Sequence, residues 1–246
     1  MNYTRSPFAN TPPVVKNLVI INVLMLLATW VLQSRGVNLA STLGLHYIGS
    51  PAFKPYQLVT HIFMHAGFTH LLFNMFALWM FGRVLENVWG PKRFFAFYFI
   101  TGLGAAALHT FVNYLEFQSL ASQLSPEKLS LVMQQGVDIW QQGQNYKDPV
   151  MGQLNEILNI PTVGASGAVY GVLIGFGMLF PNTMLMLIFP PIPIKAKYAI
   201  AGMILIEVYL GFTQSASNIA HFAHLGGALF GYLLIKYWNK NSKHFF

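Results

Sequence analysis

Gly164-Ala165-Ser166-Gly167-Ala168-Val169-Tyr170-Gly171 opens an apolar run that closes at Phe180. From Ser166 the run holds about 15 residues, so as a helix rising 1.5 Å per residue it covers roughly 22 Å of a hydrocarbon core about 30 Å thick. Read as a membrane span it is short, and Ser166 then lies below the membrane surface. A serine at a helix N-terminus has unpaired backbone N–H groups and the positive end of the helix dipole beside it, which suits an oxyanion forming next to its Oγ. The plainer reading is a helix cap, with Gly167, Gly171 and Gly175 as ordinary close-packing positions in lipid.

The rest of the chain agrees that lipid is the solvent. Of 246 residues, 54% are apolar and 9% charged, too few charges to cover a water-facing surface. Soluble folds and intrinsic disorder are excluded on that ground. The net charge of +7 does not indicate nucleic-acid binding, because the basic residues are scattered singly. With Cys 0 there is no disulfide or thiolate chemistry. Apolar runs near spanning length fall at Leu18–Leu32, His70–Val88, Phe94–Val112, Ser166–Phe180, Tyr198–Phe212 and Ile219–Trp238. The first is expected to be a retained span. With the N-terminus in the cytoplasm, ten of the 14 Lys and Arg residues lie inside, in line with the positive-inside rule. Residues 1–17 and 239–246 are then cytoplasmic and 18–238 form the membrane domain. Two outer connections remain: Gln33–Thr69, partly in the interface, and a polar helical insert at 113–163, with Leu120, Leu124, Leu129, Val132, Met133, Val137 and Trp140 near helical spacing.

Two further clusters carry chemistry. In Ala223-His224-Leu225-Gly226-Gly227, residues Ala220, His224, Gly227 and Gly231 share one face of the last span. That face can meet the glycines beginning at Gly167 backbone to backbone, bringing His224 to Ser166 as a general base. His221, one turn earlier, is the rival base. At the second span, His70 and Asn74 stand four apart and point the same way as donors, after a run containing His61 and His65.

The run His61–Asn74, the Gly164–Gly171 block and the Ala223–Gly227 block together resemble the rhomboid family of intramembrane serine proteases, over about Leu18 to Trp238. The resemblance implies an all-α polytopic membrane protein: a six-transmembrane-helix bundle with a short fourth span starting mid-membrane. It implies Ser166 as nucleophile and His224 as base, a Ser–His dyad. It further implies His70, Asn74 and Gly164 around the oxyanion and substrate, Tyr170 stacked on His224, and His61 and His65 bracing the first outer connection. Gly82-Arg83-Val84-Leu85-Glu86 resembles the family's turn after the second span. Where the family usually has Trp-Arg, this chain has Tyr56-Gln57. Glu207, the one acid well inside a span, is expected to be a neutral, hydrogen-bonded helix residue and not a third catalytic member.

The implied activity is an intramembrane serine endopeptidase cleaving single-span membrane proteins, with membrane lipid as its other partner, no nucleic acid, no cofactor and no metal. The expected location is a bacterial inner membrane. Three other readings stand beside it: a catalytically inactive relative that binds membrane segments, a His-ligated metal or haem protein using His61/His65 or His221/His224, and a transporter with broken helices.

Overall fold

The computed structural model of the chain describes residues 11–186, 191–213 and 218–241, the last stretch with side chains from 221 to 240. Arg5, Lys243 and the Ala220 side chain, all used in reading the sequence, lie outside the described residues. The protein is mostly helical, and four helices are long and apolar enough to cross a membrane: Pro13–Gln33, Phe68–Trp89, Pro91–Ala121 and Ala196–Thr213. It is a membrane protein of all-α type.

Helix α1 (Pro13–Gln33) starts with proline in its first turn and has no side-chain cap of its own. Its orphan N–H groups are met instead by Glu86, far away in sequence. The carboxylate accepts from Val14 N–H at 2.9 Å and Val15 N–H at 2.8 Å, at a site where Glu86 is 2% exposed. A charged acceptor at the positive end of the dipole accounts for an acid buried beside an apolar helix.

Short helices α2 (Leu39–Leu43) and α3 (Gln57–Thr60) and a 3₁₀ turn (His61–Phe63) build the first connection. The second long helix is α4 (Phe68–Ala77), a π-helical turn (Leu78–Gly82) and α5 (Arg83–Trp89) in unbroken succession. Gly90, at φ +78°, then turns the chain into α6 (Pro91–Ala121). At 31 residues, α6 is about 46 Å long, well beyond a hydrocarbon core. The sequence reading ends the third span at Val112 and begins a helical insert at Asn113, but α6 runs on without a break to Ala121. Its far end is a post for the insert, which is α7 (Pro126–Gln141) and α8 (Pro149–Asn159).

The insert is helical as expected, with a small core of its own. Leu120 and Val132 are in it, while Met133 faces out. Four of that core's seven buried residues come from α8, outside the expected stripe (Met151, Leu154, Ile157 and Leu158), and it closes on Tyr47 of the first connection.

Helix α9 (Ser166–Leu179) has 14 residues, nine of them buried. A short helix apolar on all sides belongs in the middle of a bundle, and α9 packs against α6, α4 and the last helix, α11 (Asn218–Asn241). Between α9 and α10 (Ala196–Thr213), the three-residue strands β1 (Met184–Met186) and β2 (Pro193–Lys195) pair antiparallel with Met184 opposite Lys195. This hairpin is the one pair of strands among the described residues. Helix α10 is peripheral, with Leu205, Ile206, Tyr209 and Phe212 all more than half exposed, a lipid-facing surface.

The glycine faces meet, with one difference from expectation. A methyl group built on Gly227 would fall on the Gly167 carbonyl, and one on Gly231 would lie 3.0 Å from Gly171 Cα. Thus α11 lays its glycines on the α9 backbone. The α9 glycines, however, point at α6: a methyl on Gly167 would strike Ala105 and one on Gly171 would come 2.5 Å from Thr101 Cβ. Each set of small residues admits a different neighbour.

Candidate active site

Ser166 is the first residue of α9; the N-cap position is Ala165, and no side chain caps the helix. Its hydroxyl is therefore not used as a cap, which removes the plainer reading of the serine. Before it, Gly164 sits at φ +137°, a conformation L side chains rarely adopt, and a Cβ there would come within 2.9 Å of His70 Cε1 and 3.4 Å of Ser166 Oγ. Glycine is required twice over, by the backbone and by the imidazole.

This loop is held from both sides through its backbone. Gly164 N–H donates to His61 C=O at 3.0 Å, and Leu45 and Thr162 exchange N–H···O bonds of 2.9 and 2.8 Å. His109 of α6 lies 2.6 Å from Thr162 Oγ1 and 3.1 Å from Asn113 Nδ2. Asn113 and Thr162, placed in the insert by the sequence reading, are thus next to the serine loop.

The first connection hangs on Gln57, which is 1% exposed. Its carbonyl oxygen accepts from His46 N–H at 3.3 Å and Lys54 N–H at 3.1 Å, and its amide donates to Thr42 C=O and Ala52 C=O, both at 3.1 Å. All four hydrogen-bonding positions of the amide are occupied. Gln57 C=O in turn sits 2.8 Å from His61 Nδ1. His61 is thus tied to this connection through Gln57.

Burial holds His61 down to about 4, against favourable backbone contacts; burial, followed by the nearby His70, does the same to His65. Both His65 ring nitrogens are buried without a hydrogen-bond partner. An unfolded chain protonates these groups near pH 6.5, whereas the fold keeps them neutral to about 4. Stability is therefore complete above pH 6.5 and falls as pH drops toward 4, by roughly 3 kcal/mol per histidine at most. Thermal melting in detergent should decline over that window, and His65→Leu should flatten the decline. A melting temperature constant from pH 7 to 4 would contradict this.

Two cavities, of about 370 and 120 Å³, share His70, Ser166 and His224 in their linings. The larger lies between α4, α9 and α10, with Asn74 and Tyr170 also in its wall and otherwise mostly apolar residues such as Phe73, Leu173 and Met203. The smaller reaches His61, His109 and Thr162 and has room for water beside polar groups. His224 lines both and His221 lines neither, which favours His224 over its rival. The Tyr170 ring lies flat on the His224 imidazole, with centroids 4.3 Å apart and planes 6° apart. Asn74 is 5% exposed and donates through Nδ2 to His70 C=O at 2.9 Å, leaving its second N–H for another acceptor.

Glu207 does not stay clear of this group. It is 8% exposed on α10. Its Oε1 accepts from the Tyr170 hydroxyl and lies 3.1 Å from His224 Nδ1, while Oε2 lies 2.6 Å from His221 Nδ1. The expectation that nothing places this acid behind His224 is overturned. The sequence carried half of the signal, an acid inside an apolar span. It could not supply the rotation of α10 that turns the acid inward.

Sequence comparison completes the assignment. A model of the rhomboid domain matches residues 52–240. The chain belongs to the rhomboid family. It is similar to Rhomboid protein 1, mitochondrial, of Saccharomyces cerevisiae (28% identical over 184 residues, 75% of this chain and 42% of that protein). It is also similar to RHOMBOID-like protein 12, mitochondrial, of Arabidopsis thaliana (30% over 174 residues, 70% and 43%). A third relative is Rhomboid protease AarA of Providencia stuartii (25% over 171 residues, 70% and 51%). The chain spans about half the length of the curated relatives it matches. Two of these three rhomboid proteins are named as mitochondrial, so the expected bacterial inner membrane draws no support from them.

Proposed function

We propose that this rhomboid protein is an intramembrane serine endopeptidase, with Ser166 as nucleophile and His224 as general base. The observation that carries the reading is the shared cavity wall: an uncapped serine at a helix start, an imidazole and an apolar cleft meet at one place. Ser166 Oγ attacks a peptide carbonyl as its proton passes to His224. The C–N bond then breaks, the leaving amine takes the proton from His224, and water hydrolyses the acyl-enzyme with His224 again as base. The orphan N–H groups at the start of α9, the free N–H of Asn74, and His70 beside Gly164 are the donors for the oxyanion. The substrates are single-span proteins whose helices unwind near small residues, since attack by Ser166 on a peptide carbonyl needs an extended peptide in place of a helix. Six spans, with α9 and α11 as the fourth and sixth, put both termini on the side that holds most of the Lys and Arg residues.

A fluorophosphonate probe followed by mass mapping tests the nucleophile; labelling anywhere but Ser166 would sink it. Asn74→Ala should lower kcat by about 10²–10³ and leave KM and melting nearly unchanged. A variant that melts early but turns over normally would make Asn74 a structural residue.

The metal reading has one observation in its favour: Glu207, His221 and His224 each offer a ligand atom within 4.8 Å of one another. Ligands around a tetrahedral zinc stand about 3.3 Å apart, whereas Glu207 and His221 touch at hydrogen-bond distance, so we read a hydrogen-bonded cluster. One tightly held metal per purified chain would reverse that.

A further inference from the structure

A carboxylate inside a membrane bundle is costly, and the fold offsets the cost with polar groups from two other helices. Tyr170 of α9 gives its hydroxyl to Oε1 of Glu207, His221 of α11 sits 2.6 Å from Oε2, and His224 Nδ1 sits 3.1 Å from Oε1. The last approach is close but lies off the hydrogen-bond line, since His224 Nδ1 is otherwise buried without a partner. Tyr170 both bonds the carboxylate and stacks on His224, so phenol, carboxylate and imidazole fix one another's orientation. An ionised carboxylate only accepts hydrogen bonds. A bare lone pair on His224 Nδ1, 3.1 Å from Oε1, would be repelled by the carboxylate, whereas an N–H there is attracted, so the proton sits on Nδ1 and Nε2 of His224 is left as the basic nitrogen.

We propose that Glu207 is a positioning residue for the reaction: it holds His224 in the Nδ1–H tautomer and stabilises the imidazolium that forms when the Ser166 proton arrives at Nε2. The site is then a Ser–His pair with a carboxylate behind it, supplied by a different helix. Glu207 stays ionised throughout and no proton reaches it. The role rests on the proteolytic reading above. It also ties the base to α10, the helix whose Ala199, Ile200 and Met203 wall the substrate cleft.

The test uses the full chain in detergent. Glu207→Gln keeps size and hydrogen-bonding capacity but removes the charge and the demand for a proton on Nδ1. It should lower kcat about 10²–10⁴-fold, with KM little changed, and move the acid limb of kcat/KM to lower pH. Glu207→Asp should recover part of kcat with the acid limb near its wild-type position. The titratable groups facing Glu207 and His224 are Tyr170 from α9, His221 from α11 and His70 from α4, so the profile is repeated in His221→Gln and in His70→Gln to remove the imidazole titrations that are not the base. Wild-type kcat and an unmoved acid limb in Glu207→Gln would overturn the proposal. If that variant does not fold, ¹⁵N-histidine spectra of the wild type, assigned with His224→Ala, decide the matter. A proton on Nδ1 of His224 is expected, and one on Nε2 overturns it. Failure of the wild type to label at Ser166 removes the proteolytic reading itself, whereas normal labelling with an indifferent Glu207→Gln removes the role of Glu207 alone.

Discussion

Replacing Ser166 by Ala, or His224 by Ala, lowers turnover about 10⁴-fold or more, and the double replacement lowers it little further. The two side chains would act in one step, so once either is lost the other has no partner left to assist. The residual rate is what the backbone donors at the start of α9 and the cleft still provide. Since the Ser166 hydroxyl caps nothing, Ser166→Ala should melt with the parent protein, which makes its activity loss purely chemical. Losses that multiply in the double variant would mean that serine and histidine serve separate steps. Turnover per folded protein, with the fluorophosphonate label as the count of sites, is the measurement.

Gly227→Ala should cost at least 10²-fold in turnover, although the residue carries no reacting atom. Its added methyl would fall on the Gly167 carbonyl, one residue from the nucleophile, and α9 and α11 can relieve that overlap only by separating. Separation carries His224 away from Ser166, and a misplacement of about 1 Å suffices for a loss of that size. Gly231→Ala supplies the graded comparison, because its methyl would stand 3.0 Å from Gly171 Cα and needs only a small adjustment. It should melt slightly lower and retain most activity. Equal activity in the two variants would show that the α9–α11 approach does not set the distance between serine and histidine. Overpacking of this kind also costs about 1–3 kcal/mol of stability, so both activities are compared at a temperature where each protein is folded.

What could be read before the structure was known were properties one helix writes into its own sequence. The short span from Ser166, the glycine face of the last helix, and His70 with Asn74 one turn apart all follow from helical period and small side chains. What could not be read were properties set by how two elements are turned against each other. Glu207 is visible as an acid in an apolar span, but its contacts with Tyr170, His221 and His224 depend on the rotation of α10. Gln57 shows no period at all, because its four partners are backbone groups scattered from Thr42 to Lys54. The end of α6 is not legible because polar residues after Val112 mark the end of an apolar span, whereas the same helix continues through them to Ala121 when another layer of protein packs there. The α8 part of the insert core was missed for the same reason: its stripe answers to Tyr47 and α6, both distant in sequence.

Gln57 holds the first connection together with four hydrogen bonds between uncharged groups. A guanidinium at this position, which is 1% exposed, would bury a positive charge among backbone partners that offer it no counter-ion. A saturated amide has no net charge to screen and no spare donor to give away. The connection whose His61 carbonyl accepts from Gly164 N–H is thus held at Gln57 by contacts between uncharged groups, which dissolved ions do not screen.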